Sequence, residues 1–155
     1  MSELVFPITI TTDRVEQTEA FGARLAQRML DDISLPRYIA LAGDLGVGKT
    51  AFVRGFASAI APGVAVRSPT FALVNEYRHV GMPPVFHFDM YRITSEDDLY
   101  SIGYDDYVES DGYCIAEWSE NIEGDIPSDA IFVTISRTDD AEGRRIEISY
   151  ENISI

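Results

Sequence analysis

The chain is poor in bases. Its 155 residues hold 12 Lys or Arg against 26 Asp or Glu, a formal net charge of −14 at pH 7. Neutralising a phosphate backbone needs clustered Lys and Arg, so broad nucleic-acid binding by this surface is excluded, and any RNA is reached through a partner. One cysteine, Cys114, leaves no internal disulfide and fits a reducing cytoplasm. It sits in the apolar run Tyr113–Ala116 and reads as a small buried hydrophobe rather than a reactive thiol. Two histidines and one cysteine are too few for a zinc site. No apolar run approaches the ~18 residues of a membrane span, and the N-terminus lacks the basic and apolar regions of a signal peptide. The length predicts a single domain over residues 1–155.

The scarcest strong base is lysine. Lys49 is the only one, and every other strong base is arginine. It lies in RYIALAGDLGVGKTAFVRGFA, residues 37–57. Tyr38 to Ala42 reads as a buried parallel strand, and Ala51 to Ile60 as a helix. Between them stands G-x-x-x-x-G-K-T, the strand–loop–helix setting that a P-loop requires. Its glycines admit positive φ, so the N–H groups of Asp44, Leu45, Gly46, Val47 and Gly48 can turn inward around an anion. The helix N-terminus adds further donors. In such a loop Lys49 reaches the β- and γ-phosphates, and the Thr50 hydroxyl ligates Mg2+.

Around this centre, Leu4 to Thr11 predicts a strand at a sheet edge, where Pro7 is tolerated. Asp13-x-x-Glu16 resembles a capping box for a helix over Arg14–Met29, with Val15, Phe21, Leu25 and Met29 near one face. Ser68-Pro69-Thr70 cannot be helical. Phe71–Tyr77, Val85–Met90 and Tyr113–Ala116 read as strands, with two short helices around Gly103 starting near Thr94-Ser95-Glu96. Ala130–Arg137 and Arg144–Tyr150 alternate and form an antiparallel hairpin. The fold class is therefore α/β: a P-loop NTPase three-layer sandwich with a mixed, mainly parallel sheet and a C-terminal antiparallel hairpin.

Phosphoryl chemistry needs a second metal-side acid and a group to orient water. Asp89 and Glu117 end apolar strands, at the edge where open α/β sheets bind ligands. Asp44 and Glu120 read as loop acids. His87, between Phe86 and Phe88, reads as a packing residue. Arg92 suits an arginine finger or an ion pair, and Trp118 the nucleotide, a partner or the core. No N-K-x-D run exists, so the guanine pocket of small GTPases cannot be built and ATP is favoured over GTP.

GDLGVGKT, RGF, SPTFALVNEY, HFDMYRI, DLYSIGYDDY and IAEW, in this order, resemble the TsaE (YjeE) family of bacterial P-loop ATPases of tRNA threonylcarbamoyladenosine synthesis. The resemblance covers nearly the whole chain, about Ile10 to Ile148. It implies slow Mg2+-dependent ATP hydrolysis in the cytoplasm, alongside the transferase TsaD and its partner TsaB, which install threonylcarbamoyl on adenosine 37 of tRNAs. It also implies that Gly46, Gly48, Lys49, Thr50 and Ala51 hold phosphates, that Thr50 and Glu117 hold Mg2+, and that Asp89 is the catalytic acid. By the same resemblance Thr70 would belong to a loop near the γ-phosphate, and Val15 and Arg144 would fall beside the nucleotide. Met90 replaces the usual Leu, a near-isosteric change, and the C-terminal tail is short. A small-molecule kinase and an ATP-sensing module without turnover are the rival readings. Against the kinase, the segment Thr94–Gly112 that would form its lid carries many acids and no arginine.

Overall fold

The computed structural model describes residues 6–44, 46–69 and 73–150. The strands are β1 (Ile8–Thr12), β2 (Tyr38–Ala42), β3 (Val74–Tyr77), β4 (Val85–Asp89), β5 (Tyr113–Glu117), β6 (Ile131–Arg137) and β7 (Arg144–Ser149). The helices are α1 (Val15–Asp31), α2 (Lys49–Ile60), α3 (Glu96–Ser101) and α4 (Tyr104–Glu109). All the strands join one sheet in the order β1-β7-β6-β2-β5-β4-β3. The pairs β6·β2, β2·β5 and β5·β4 are parallel, and the pairs toward both margins are antiparallel. This is the mixed sheet with a terminal hairpin that the sequence predicts. β1 is the outermost strand, as expected, but it begins at Ile8, so Pro7 stands before it rather than within it.

Residue type explains the order. β2 (YIALA) and β5 (YCIAE) carry almost no polar side chains, so they occupy the centre, where both faces are covered. β6 and β7 alternate buried and exposed residues and offer one apolar face each. On one side, Phe21, Leu25 and Met29 of α1 and Phe52, Phe56 and Ile60 of α2 cover Ile39, Leu41, Ile115, Val133 and Ile146. On the other, Leu99, Tyr104 and Ile122 of α3, α4 and the 3-10 segment Ser119–Asp125 cover Ala40, Phe88, Met90 and Cys114. The Tyr38 hydroxyl donates to that of Tyr104 at 2.7 Å, and Tyr104 donates to the Asp125 carbonyl at 2.9 Å. That buried chain ties the second layer to the sheet. Ser95 caps α3 by accepting from the Asp98 N–H at 3.3 Å.

Helices α1 and α2 cross with almost no gap. A Cβ on Gly55 would lie 1.8 Å from the Glu19 carbonyl, and one on Gly22 would lie 2.2 Å from that of Phe52. The close crossing fixes where α2 begins, and with it the loop before it.

Some boundaries differ from expectation. Leu4 and Val5 lie outside the described residues, and the first strand runs one residue further, to Thr12. The capping box is shifted: Arg14 is the N-cap of α1, and the Gln17 side chain, not Glu16, accepts from the Asp13 N–H. Thr12 draws the chain one residue further along β1 and bonds Thr18 through their hydroxyls at 2.9 Å. Val15 is 46% exposed and off the apolar face. β3 begins at Val74 because Leu73 takes a left-handed conformation, φ 65; Phe71 and Ala72 lie outside the described residues. β4 ends at Asp89, since the Met90 N–H turns to the Glu117 carbonyl at 2.9 Å.

Candidate nucleotide site

The loop after β2 turns on glycines at positive φ: Gly46 at 75 and Gly48 at 105. Gly48 is also the N-cap of α2 and offers no capping side chain. The first N–H groups of α2 are therefore left for an anion, with the positive end of the helix dipole behind them. Two arginines of the β6–β7 hairpin hold the loop from outside. Arg144 Nε donates to the Val47 carbonyl at 2.8 Å, and Arg137 donates to the Gly46 carbonyl at 3.3 Å. With their carbonyls drawn outward, the loop's amides are favoured to face inward. Leu45 lies outside the described residues.

Lys49 is 5% exposed. Its ammonium donates to the Gly43 carbonyl at 2.7 Å and stands 4.0 Å above the Trp118 ring. Trp118 directly follows Glu117 and takes a left-handed φ of 57, an uncommon backbone state for a non-glycine residue. The Lys49 contact and the neighbouring Tyr91 ring, 5.0 Å away, hold it there.

Strand register supplies the acids. Asp89 pairs with Glu117 across β4·β5, and Glu117 pairs with Leu41 across β5·β2, one residue before β2 ends. Both carboxylates therefore stand beside the loop. Lys49, Thr50, Ser68, Asp89, Arg92, Glu117 and Trp118 line one cavity of about 500 Å3 with Gly46, Gly48 and Tyr91. Burial, with the nearby Glu117 charge, pushes the Asp89 carboxyl up from its ordinary value, against the Tyr91 N–H bond and the Lys49 charge. Glu117 is buried, and one oxygen bonds His87 Nε2. Among the described residues, no group of three or more His, Cys, Asp or Glu could cage a metal. A hydroxyl and carboxylates of this hardness fit Mg2+, which takes one or two protein oxygens and completes its shell with phosphates and water.

A second cavity, of about 150 Å3, opens on the far side of the loop between Val15, Thr18, Val47, Ala51, Glu142 and Arg144. It has room for part of a base, and Val15, exposed and off the apolar face, lines it. Another cavity, between α3 and α4, is lined by Glu96, Asp97, Asp105 and Asp125, the wrong sign for phosphate.

The structure thus brings Gly46, Gly48, Lys49 and Thr50 together with Asp89 and Glu117 at one cavity, and Val47 and Ala51 together with Val15 and Arg144 at the other; Asp44 lines neither. Thr70 lies outside the described residues. Thr18, Arg137 and Glu142 were not marked by the sequence. Only the hairpin's return to the loop reveals the last two.

A family profile described as "Threonylcarbamoyl adenosine biosynthesis protein TsaE" matches residues 12–146. The curated tRNA threonylcarbamoyladenosine biosynthesis protein TsaE of Haemophilus influenzae is 42% identical over 129 residues, covering 83% of this chain and 80% of that protein. The protein of that name from Bacillus subtilis is 37% identical over 124 residues, 75% of this chain and 77% of that one. The crystal structure of YdiB from Bacillus subtilis superposes with a TM-score of 0.75 at 30% identity, covering 97% of this chain and 90% of that chain.

Proposed function

The chain belongs to the TsaE family of tRNA threonylcarbamoyladenosine biosynthesis proteins, and from that premise we propose that it is the ATP-binding, Mg2+-dependent ATPase of that process. The observation that carries this reading is the meeting of Lys49, Thr50, Asp89 and Glu117 at one cavity beside a glycine-rich helix N-terminus.

The N–H groups of Gly46, Gly48, Thr50 and Ala51 hold the phosphates, and Lys49 turns from the Gly43 carbonyl to the β- and γ-oxygens. Thr50 and Glu117 hold Mg2+, which neutralises charge on those oxygens. Asp89 orients the attacking water and accepts its proton, a task suited to a carboxylate of raised pKa. Val15 and Arg144 border the base. The site works in the cytoplasm with TsaD and TsaB, and tRNA meets the complex rather than this acidic surface. No described helix is long and apolar enough to cross a membrane.

The test is ATP turnover by Asp89→Ala. Retained binding with turnover reduced by about 100-fold or more is expected from loss of a general base. Unchanged turnover removes Asp89 from the mechanism. Absence of ATP binding by the unaltered protein removes the ATPase reading.

A further inference from the structure

We propose that His87 and Tyr77 are positioning residues that couple the Glu117 carboxylate to the Arg67–Ser68 edge of the nucleotide cavity, so that metal binding at one end orders the backbone at the other. The inference rests on the Mg2+-nucleotide reading above.

A continuous hydrogen-bonded chain carries it, buried from Glu117 to Tyr77 and ending at the surface. Glu117 Oε2 is bonded to His87 Nε2, and both side chains are almost wholly buried, 5% and 0% exposed. His87 Nδ1 lies 3.0 Å from the Tyr77 hydroxyl. That hydroxyl donates to the Arg67 carbonyl at 3.1 Å and accepts from the Arg67 N–H at 3.4 Å. Ser68, the next residue, lines the same cavity as Glu117.

The topology explains why these groups meet. Asn75 pairs with His87 and Tyr77 with Val85 across β3·β4, so Tyr77 reaches His87 diagonally. Period 2 places His87 and Asp89 on one face of β4, with Ile115 and Glu117 beside them on β5.

A histidine kept only for packing has no need of this arrangement. Its two nitrogens meet two different side chains, one a metal-side acid and the other the anchor of a cavity edge. With Oε2 committed to His87, Oε1 is the oxygen of Glu117 left for a metal, and its direction is set by the imidazole. Groups one bond behind a ligand commonly fix its orientation in this way. In a well-packed interior a shift of Glu117 passes through His87 to Tyr77, because these three side chains are buried and have little room to yield, and Tyr77 hands it to the part-buried Arg67 backbone. Asn75 also donates to the Arg67 carbonyl, at 2.9 Å, and its backbone pairs with His87, but its side chain makes no hydrogen bond to His87 or Glu117. It provides a control.

Tyr77→Phe and His87→Gln cut the chain on either side of the same bond. Phe keeps the ring, and Gln keeps a group able to reach Glu117. Binding of a non-hydrolysable ATP analogue is followed by the fluorescence of Trp118, the only tryptophan. Amide hydrogen exchange of Arg67 and Ser68 is measured for the nucleotide-bound protein before and after MgCl2.

In the unaltered protein, MgCl2 should slow exchange at Arg67 and Ser68. Both variants should lose that slowing and need about 10-fold more Mg2+ for the half-maximal response, the usual size of such effects. Their affinity for the analogue in EDTA should be unchanged. Asn75→Ala loses a bond to the Arg67 carbonyl but should keep the Mg2+-dependent slowing and the unaltered Mg2+ half-maximum. A lowered Tm with an unchanged Mg2+ titration in either variant would make the chain merely structural and overturn the proposal. So would MgCl2 leaving exchange at Arg67 and Ser68 unaffected in the unaltered protein, a result that stands even if neither variant folds. If the unaltered protein gives no nucleotide response, the ATPase reading falls along with this one.

Discussion

The position of α2, and therefore of the phosphate loop, depends on Gly55. Replacing it with alanine sets two effects against each other. In a helix interior Ala is favoured over Gly by about 1 kcal/mol. Here the new Cβ would lie 1.8 Å from the Glu19 carbonyl, against at least 3.4 Å for ordinary contact, so α1 and α2 must part by about 1.6 Å. The obstacle is backbone and cannot rotate away. Overpacking of this kind costs about 3 kcal/mol, the upper end of its usual range. The net loss is about 2 kcal/mol, a fall of about 4–8 °C in Tm for a chain of this length. The displacement also reaches Lys49 and Thr50 at the start of the same helix. Misplacement by about 1 Å can slow a reaction by about 100-fold. Gly55→Ala should therefore melt lower in a thermal scan and turn ATP over more slowly even at temperatures where it is fully folded. A Tm equal to or above that of the unaltered protein would mean that the helices do not cross this closely, and the reasoning would be refuted.

Lys49→Ala should abolish nucleotide-induced change in Trp118 fluorescence while lowering stability by no more than about 2 kcal/mol, the worth of its Gly43 bond and its contact with the Trp118 ring. A variant unfolded at room temperature would show instead that Lys49 is structural. Arg144→Ala removes the bond that draws the Val47 carbonyl outward. Its ATP affinity, read by the same fluorescence, should fall by about 10-fold, or 1.4 kcal/mol, and unchanged affinity would detach the hairpin from the site. The raised pKa of Asp89 gives a signed expectation in metal-free buffer. The folded state binds this proton more tightly than the unfolded one, so the stability linked to it is present in acid and lost as pH rises through the folded pKa. Asp89→Asn should thus melt above the unaltered protein at pH 7, with the difference shrinking as the pH falls through that raised pKa. An advantage that grows in acid would reverse the sign and contradict the burial argument.

The phosphate loop was legible because its chemistry fixes residue types at fixed offsets: glycines where φ turns positive, then a base, then a hydroxyl. Asp89 and Glu117 were legible as acids closing apolar runs, and the sheet register then joined them. Periodicity puts Val15 on the apolar face, although the resemblance puts it beside the nucleotide, because an apolar residue at the start of a helix has the same pattern whether it faces a core or a cavity. Leu73 and Trp118 were hidden because left-handed conformations of bulky residues leave no compositional mark. The contacts Arg137–Gly46 and Arg144–Val47 span 91 and 97 positions, and nothing local encodes them. His87 was judged a packing residue from its aromatic neighbours. It is fully buried, as packing requires, but its bond to Glu117 follows from β4 lying beside β5, which alternation alone does not give.

If this cavity binds and hydrolyses ATP for tRNA threonylcarbamoyladenosine synthesis, the rate of ATP hydrolysis in Mg2+ must respond to the rest of that machinery, and it is measured for the chain alone and with purified TsaD and TsaB. Turnover should be slow for the chain alone, faster with the pair, and lost in both cases in Asp89→Ala. Turnover that is absent under both conditions, or that is indifferent to the pair and to Asp89, would contradict that role for the cavity.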